Sequence, residues 1–196
     1  MILSNTAIAK GCADGKFQIQ GLANSTDTSK APFNTSAVDL RLSTELLIAP
    51  KGKSAIVIDL SSGASISPVL NSNFQKITIS KEQGYILKPN TFILGNTIER
   101  VDFPLCETID CITYAARVEG KSSLARCGLL VHFTAPTIHA GFSGNITLEI
   151  INLGPFDILL TPNMYICQLI IEEVIGQATT APNQFSGQTA PAGVIK

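Results

Sequence analysis

Short apolar segments, broken repeatedly by turn residues, dominate this 196-residue chain. Residues 85–87, 92–94 and 157–160 are examples, each only a few residues long and with Gly, Pro, Asn or Lys within two residues of both ends. Segments of this length suit strands better than helices, and turn signals recur roughly every 8 to 12 residues, as in sandwiches and barrels. The chain is therefore predicted to be mainly β, a barrel or sandwich with few helices.

Two turns share the same chemistry. Pro89-Asn90 and Pro162-Asn163 each separate two apolar segments. Proline presets φ at the first position, and asparagine tolerates the left-handed conformation at the second. The repeated pattern predicts an antiparallel sheet that is rich in meanders.

Ser4 as N-cap and Gly15 as the stop predict one helix over residues 5–13. Charged residues alternate with apolar ones over 38–42, which predicts a half-buried strand with Asp39 and Arg41 on one face. These two charges are expected to form structural ion pairs rather than to catalyse. Other strands are predicted at 17–20, 55–60, 77–79, 85–87, 92–94, 97–101, 157–160 and 164–171, with loops at 21–36 and 61–73.

The length suits a single domain with a core that needs no disulfides. A net charge of −1, with 15% charged residues, excludes a polyanion-binding surface of the nucleic-acid type. Mean hydropathy of +0.28 is high for a monomer and predicts buried subunit interfaces. No apolar run approaches the roughly 18 residues that span a bilayer, and the N-terminus lacks a signal peptide. A cytoplasmic protein without a membrane partner is expected.

Five cysteines form an odd set without a repeated spacing, which favours reduced thiols over a disulfide framework. They are Cys12, Cys106, Cys111, Cys127 and Cys167.

The polar chemistry is concentrated in residues 119–149. Gly120 is followed by Lys121, two serines and, after a short helix-forming run, Arg126. Ser122 or Ser123 is predicted to cap a short helix whose N–H groups face an anion, with the two cations on either side. The plainer alternative is a solvated helix start.

Glu149 is the only charged residue of the apolar segment 145–152. A carboxylate there is costly to bury unless it is paired or has a raised pKa. We expect its pKa to rise toward the working pH, which would suit a proton shuttle. The alternative is a strand carboxylate that faces solvent.

These motifs carry a family resemblance. In order and spacing, E-G-K-S-S-L-A-R (119–126), G-L, V-H, T-A, G-F-S-G and I-T-L-E (146–149) resemble the dCTP deaminase family, which shares its fold and trimeric assembly with the trimeric dUTPases. Short motifs at 1–4, 36–42, 94–99 and 162–164 also resemble that family. The resemblance implies a mainly β, dUTPase-like barrel or distorted jelly roll that forms a homotrimer. It also implies a catalytic domain over 1–175 and a flexible C-terminal lid over 176–196.

The resemblance implies hydrolytic deamination of dCTP to dUTP and ammonia, which feeds dUMP and dTTP synthesis. Glu149 would shuttle the proton, while Ser122, Arg126 and the backbone carbonyl of Ala135 would position the water. The triphosphate, with Mg²⁺ held by its own oxygens, would contact Lys121, Ser122, Ser123 and Arg126. Further substrate contacts are implied for His139, Phe142, Thr147, Glu149, Phe185 and Gln188.

Zinc is not expected. Zinc-dependent nucleotide deaminases use an H-x-E motif followed by P-C-x-x-C. Neither His132 nor His139 lies in such a motif, and Cys106 and Cys111 are spaced C-x4-C. His132 lies in an apolar segment and is expected to be a satisfied core residue.

Two departures from the family pattern keep alternatives open. His139 and Ala140 stand where typical relatives have Asp-Pro, and where dUTPases have the aspartate that activates water. No lysine lies between Met164 and Lys196, although the family lid carries one. The alternatives to a deaminase are a dUTP diphosphatase, a bifunctional enzyme, and a non-catalytic trimeric nucleotide-binding protein.

Overall fold

The structure, a computed structural model, describes residues 1–49, 57–59, 61, 65–108, 111–181 and 185–193. Over these residues the chain forms three short helices: α1 (Asn5–Ala13), α2 (Ser67–Asn73) and α3 (Ser122–Ala125). The strands are β1 (Gln18–Gln20), β2 (Phe33–Asn34), β3 (Ala37–Arg41), β4 (Glu45–Ile48), β5 (Gln75–Thr78), β6 (Tyr85–Leu87), β7 (Thr91–Asp102), β8 (Thr113–Gly120), β9 (Leu129–Val131), β10 (Thr137–Ile138), β11 (Ser143–Asn152), β12 (Ile158–Leu160) and β13 (Tyr165–Val174).

The strands build two large sheets and one small one. The first sheet has the order β5-β4-β7-β11-β9, with β1 also paired to β7, and the second has the order β10-β8-β13-β3-β2. β6 and β12 pair with each other. Buried side chains from both large sheets, such as Leu148 and Leu169, join one apolar cluster. The prediction of a mainly β fold is confirmed.

Asn90 (φ 56°) and Asn163 (φ 66°) adopt the left-handed conformation that was predicted for the two Pro-Asn turns. Neither turn closes a hairpin, because β6 and β12 pair with each other and not with the strands that follow them. Each turn instead leads the chain from the small sheet into a large one. Neighbours in the large sheets are mostly distant in sequence, so the prediction of meanders is wrong.

The helix predicted over residues 5–13 is confirmed. The Ser4 hydroxyl accepts the N–H of Ala7 at 3.3 Å, and Gly15 follows the helix at φ 69°. The loop predicted over 61–73 is wrong for 67–73, where α2 forms with a proline in its first turn. Part of the strand predicted at 55–60 lies outside the described residues, and residues 57–59 form no strand.

The strand predicted at 38–42 is present as β3, but it is not half-buried. Residues Ala37 to Leu40 are all buried, because β3 lies within the second sheet between β13 and β2. The structural role expected of its two charges is confirmed. Arg41 pairs with Glu99 of β7 at 2.7 Å, and Asp39 pairs with Lys121.

Cys106 and Cys111 form a disulfide, so the expectation of five reduced thiols is wrong for this pair. Their Cα atoms are 5.6 Å apart, within the range that a disulfide bridges. Cys12, Cys127 and Cys167 are free. The odd total could not show which two cysteines a local loop would bring together.

No helix in the described part of the chain combines the length and apolar character needed to cross a bilayer.

The Arg41–Glu99 pair ties the two large sheets together, and the Glu99 side chain is only 1% exposed. We predict that Arg41→Met lowers the free energy of unfolding by about 3–5 kcal/mol, because it leaves a buried carboxylate without its cation. Denaturant unfolding at fixed protein concentration measures this loss. The double variant Arg41→Met/Glu99→Leu should recover part of it, and equal losses in both variants would contradict the explanation.

Candidate active site

A pocket of about 440 Å³ lies where β10, β11, α2 and the C-terminal segment 185–193 meet. Its walls are mostly apolar, and its polar groups come mainly from β11 and the loop after β9. Seven residues that the sequence singled out gather around it: Ala135, His139, Phe142, Thr147, Glu149, Phe185 and Gln188.

β11 places the two central polar residues of the pocket. Partly buried and buried residues alternate along its whole length. Leu148 and Ile150 enter the core, so Thr147 and Glu149 face the other way, toward the pocket.

His132 is the partner of Glu149. Its Nδ1 lies 2.8 Å from Oε2 of Glu149, and the side chains are 7% and 31% exposed. The backbone N–H of His132 also donates to the carbonyl of Glu149 at 2.8 Å. The contact is a salt bridge when the imidazole is protonated.

The expectation that His132 is a satisfied core residue is wrong. It directly follows β9 with a left-handed backbone (φ 54°), which is uncommon for a residue other than glycine. Neither ring nitrogen has an aligned hydrogen-bond partner among the described residues. The V-H and T-A motifs pointed to this part of the chain, but nothing in the sequence indicated that the His132 ring would face Glu149 on the neighbouring strand.

The pKa of Glu149 is lowered, contrary to the expected rise. Burial is the largest influence and raises the pKa, but the contact with His132, its positive charge when protonated and a backbone N–H together outweigh burial. Glu149 is therefore ionised at neutral pH and can accept a proton without first losing one.

A second, polar depression of about 470 Å³ surrounds the start of α3 and is lined by Lys121, Ser122 and Ser123. It shares no lining residue with the pocket. Arg126 is exposed at the end of α3 and lines neither site. A single chain therefore does not place Ser122 and Arg126 beside Ala135 and Glu149, because α3 follows a strand of the second sheet and Glu149 belongs to the first.

The predicted serine cap of α3 is wrong. Lys121 has an extended backbone and is itself the N-cap, so Ser122 is already inside the helix and neither serine caps it. The ammonium of Lys121 pairs with Asp39, whose other carboxylate oxygen accepts from the Asn34 amide at 2.8 Å. This cation is thus held toward β3 in the single chain.

The C-terminal segment 185–193 lies across the pocket. Gln188 is 5% exposed. Its side-chain amide donates to the backbone carbonyl of Asn145 at 2.8 Å, and its backbone carbonyl accepts the backbone N–H of Asn145 at 2.9 Å. Phe185 also lines the pocket. That this segment moves as a lid stays a prediction.

The described residues bring no three His, Cys, Asp or Glu side chains together in a geometry that could hold a metal ion.

The fold resembles that of a solved deaminase structure. The crystal structure of 2′-deoxycytidine 5′-triphosphate deaminase from Agrobacterium tumefaciens superposes with a TM-score of 0.62 over 87% of this chain, at 20% identity. This chain spans about half of that one, since the match covers 47% of its length. The likeness confirms the predicted dUTPase-like fold class.

Sequence comparison shows the family. The profile described as dCTP deaminase-like matches residues 2–174. A "dCTP deaminase, dUMP-forming" of Dictyoglomus thermophilum is 33% identical over 97% of this chain and 92% of its own length. A "dCTP deaminase, dUMP-forming" of Sulfurihydrogenibium is 38% identical over 89% of this chain and 84% of its own length. A "dCTP deaminase" of Rhodospirillum rubrum is 31% identical over 97% of this chain and 94% of its own length. The chain belongs to the dCTP deaminase-like family.

We predict that His132→Asn moves the acid limb of the pH–rate profile to higher pH. Loss of the imidazole removes the two largest influences that lower the pKa of Glu149, while burial still raises it. The carboxylate therefore protonates, and activity falls, at a higher pH than in the unmodified protein. The measurement is kcat against pH from mildly acidic to neutral conditions. Phe133→Leu changes the exposed neighbour and should leave the limb in place. An acid limb that His132→Asn leaves unmoved would contradict the pairing.

Proposed function

We propose that this protein hydrolyses dCTP to dUTP and ammonia. The observation that carries the proposal is the ionised Glu149, held against His132 inside the pocket of a chain that belongs to the dCTP deaminase-like family. A positioned carboxylate of this kind is what deamination without a bound metal requires.

The reaction needs one water and one proton shuttle. Glu149 accepts a proton from water as the oxygen attacks C4 of cytosine, and it delivers that proton to N3. The second proton of the attacking oxygen then passes through Glu149 to the leaving amino group, so the C4–N4 bond breaks and ammonia departs. The mostly apolar walls strengthen each electrostatic step by excluding bulk water.

The polar depression around the start of α3 would supply the rest of the site from a neighbouring protomer. We propose a homotrimer in which Lys121, Ser122, Ser123 and Arg126 of one chain meet the pocket of the next. The separation of these groups within one chain supports this arrangement. So does uncovered apolar surface, because Ile86 and Leu159, which lie opposite each other on β6 and β12, are both 56% exposed.

In this arrangement Ser122 and Arg126 orient the water with the carbonyl of Ala135. His139, Phe142 and Thr147 border the nucleoside, and Phe185 and Gln188 close over it as part of a lid over 176–196. The catalytic domain is 1–175. Mg²⁺ is proposed to enter on the phosphate oxygens. We propose that the protein is a cytoplasmic enzyme that contributes to the supply of deoxypyrimidine nucleotides.

We predict that Glu149→Gln binds dCTP but loses about 10²–10⁴ of the turnover rate, because the amide keeps the shape of the side chain and cannot shuttle a proton. Ammonia release and calorimetric binding measure the two properties separately. Glu173→Gln makes the same change on β13 and should retain full activity. Near-normal turnover by Glu149→Gln would refute the mechanism.

A second candidate function is the combined conversion of dCTP to dUMP. It is favoured by the names of two of these relatives, "dCTP deaminase, dUMP-forming". Against it stands His139, which lines the pocket where diphosphatases of this superfamily carry an aspartate. An imidazole does not supply the fixed negative charge with which a carboxylate orients water at the α-phosphate.

We predict that the unmodified protein turns dCTP into ammonia and dUTP with little dUMP. His139→Asp should raise dUMP formation if a latent diphosphatase activity exists, and His139→Asn is the matched control without the charge. Chromatography of the products formed from dCTP and from dUTP measures how much dUTP and how much dUMP each protein releases. Efficient release of dUMP and pyrophosphate by the unmodified protein would place the bifunctional reading first.

We predict a particle of about 62 kDa by light scattering, three times the chain mass of 20.8 kDa. Glu149→Gln and Arg126→Ala should each be nearly inactive alone. Trimers reassembled from equal amounts of both should regain about one quarter of the wild-type rate, the fraction of interfaces where both intact residues meet. A monomer at micromolar concentration, or mixed trimers without recovery, would remove the shared site.

A further inference from the structure

Residues 139–142, here called the wall turn, carry the chain from β10 to β11 and therefore from the second sheet to the first. Two of these residues, His139 and Phe142, line the pocket. The connection from β7 to β8 passes between the same two sheets in the opposite direction. β11 begins opposite the last residue of β7, and β10 pairs with β8. The wall turn and the β7–β8 connection therefore cross between the sheets side by side.

Direct contacts join the wall turn to the start of the β7–β8 connection. The N–H of Gly141 donates to the carbonyl of Phe103 at 2.6 Å, and the N–H of Phe103 donates to the carbonyl of Phe142 at 2.9 Å. Leu105 packs against Gly141, where an added Cβ would lie 3.4 Å from Leu105 Cγ. The wall turn is thus held in place by Phe103 and Leu105.

The disulfide closes the β7–β8 connection directly beyond these contacts. Cys106 follows Leu105, and Cys111 lies two residues before the start of β8. The bond shortens the free path between the two sheets, because it bypasses the residues between the two cysteines. Fewer conformations then compete with the one in which Leu105 contacts the wall turn. The disulfide therefore favours the conformation that holds the wall turn.

This disulfide is open to attack by an external thiol, since Cys111 is exposed and Cys106 is half-buried. A thiolate that attacks Cys111 Sγ breaks the S–S bond, forms a mixed disulfide with Cys111 and releases Cys106 as a thiolate. A second external thiol then attacks the mixed disulfide and releases Cys111. The protein disulfide gains two electrons and two protons, and the two external thiols become one external disulfide. An external disulfide reverses both steps.

We propose that Cys106 and Cys111 form a thiol-exchange site, with small thiols of the glutathione class as exchange partners, whose state sets how firmly the wall turn is held. Disulfides of cytoplasmic proteins are usually transient and redox-sensing, which fits the localisation proposed above. Neither cysteine lines the pocket, so both act through the wall turn. The effect on dCTP binding rests on the proposed function, whereas the exchange and the hold on the wall turn are properties of the empty protein.

Hydrogen exchange without nucleotide compares the oxidised and the reduced protein directly. Maleimide labelling after unfolding first verifies the two states, with three thiols in the oxidised form and two more in the reduced form. Protection of the Gly141 amide should fall roughly fivefold to thirtyfold on reduction. The Leu42 amide, which bonds to the carbonyl of Met164, is the internal control and should keep its protection. Equal protection of Gly141 in both states would overturn the proposal, as would failure of oxidised glutathione to form the disulfide.

Two variants show whether the response belongs to this cysteine pair. Cys106→Ser/Cys111→Ser should match the reduced protein whether or not a reductant is present. Cys127→Ser changes an exposed cysteine outside the disulfide and should keep the full response of the unmodified protein. A response to reductant that persists in the double variant would contradict the assignment.

Steady-state kinetics with dCTP separates this proposal from the proposed function. Turns at the surface have low local stability, so weakening the wall turn populates conformations that bind nucleotide poorly. Reduction should therefore raise KM by about twofold to tenfold and change kcat little, because Glu149 lies on β11 outside the wall turn. A fall in Gly141 protection in a protein that never deaminates dCTP would keep the exchange site and refute the function. Deamination with a KM that is independent of the redox state would keep the function and refute the effect on the pocket.

Discussion

The register shift between β7 and β11 is the constraint on which the rest of the structure depends. Asn145 lies opposite Arg100, but Thr147 lies opposite Asn96, so β7 carries two extra residues there. The Thr97 hydroxyl accepts the N–H of Ile146 at 3.0 Å, and the Asn145 amide lies 3.0 Å from the carbonyl of Thr97. These polar contacts replace the backbone hydrogen bonds that the register shift interrupts between β7 and β11. Because the shift is of two residues, each β11 side chain stays on the same face of the sheet.

The same irregularity joins the sheets and the site. It turns Glu99 toward β3, where Arg41 binds it through both side chain and backbone. Beyond the shift, β11 continues in regular pairing and delivers Glu149 to the pocket, where β9 brings His132 against it. Glu99 is buried and Glu149 is partly buried, so each carboxylate loses hydration. Arg41 of β3 offsets this cost for Glu99, and His132, directly after β9, offsets it for Glu149.

Local chemistry was predictable where a residue acts on its own backbone. The capping hydroxyl of Ser4 and the left-handed Asn90 and Asn163 were inferred correctly because each depends on its immediate neighbours. Prediction failed where a distant partner decides. The helix at 67–73 packs on Leu47 and Leu94, and the pairing of β6 with β12 turned two expected hairpins into links between sheets.

The sequence by itself determined the mainly β character, the family and seven of the residues around the pocket, since these follow from periodicity, turn residues and motifs. Only the tertiary structure decided their electrostatics and grouping. The pKa of Glu149 falls instead of rising because His132 faces it across paired strands, and Lys121 turns toward Asp39 of another strand. Charges interact through space, and the distances between them are set by strand pairing, which no local pattern specifies.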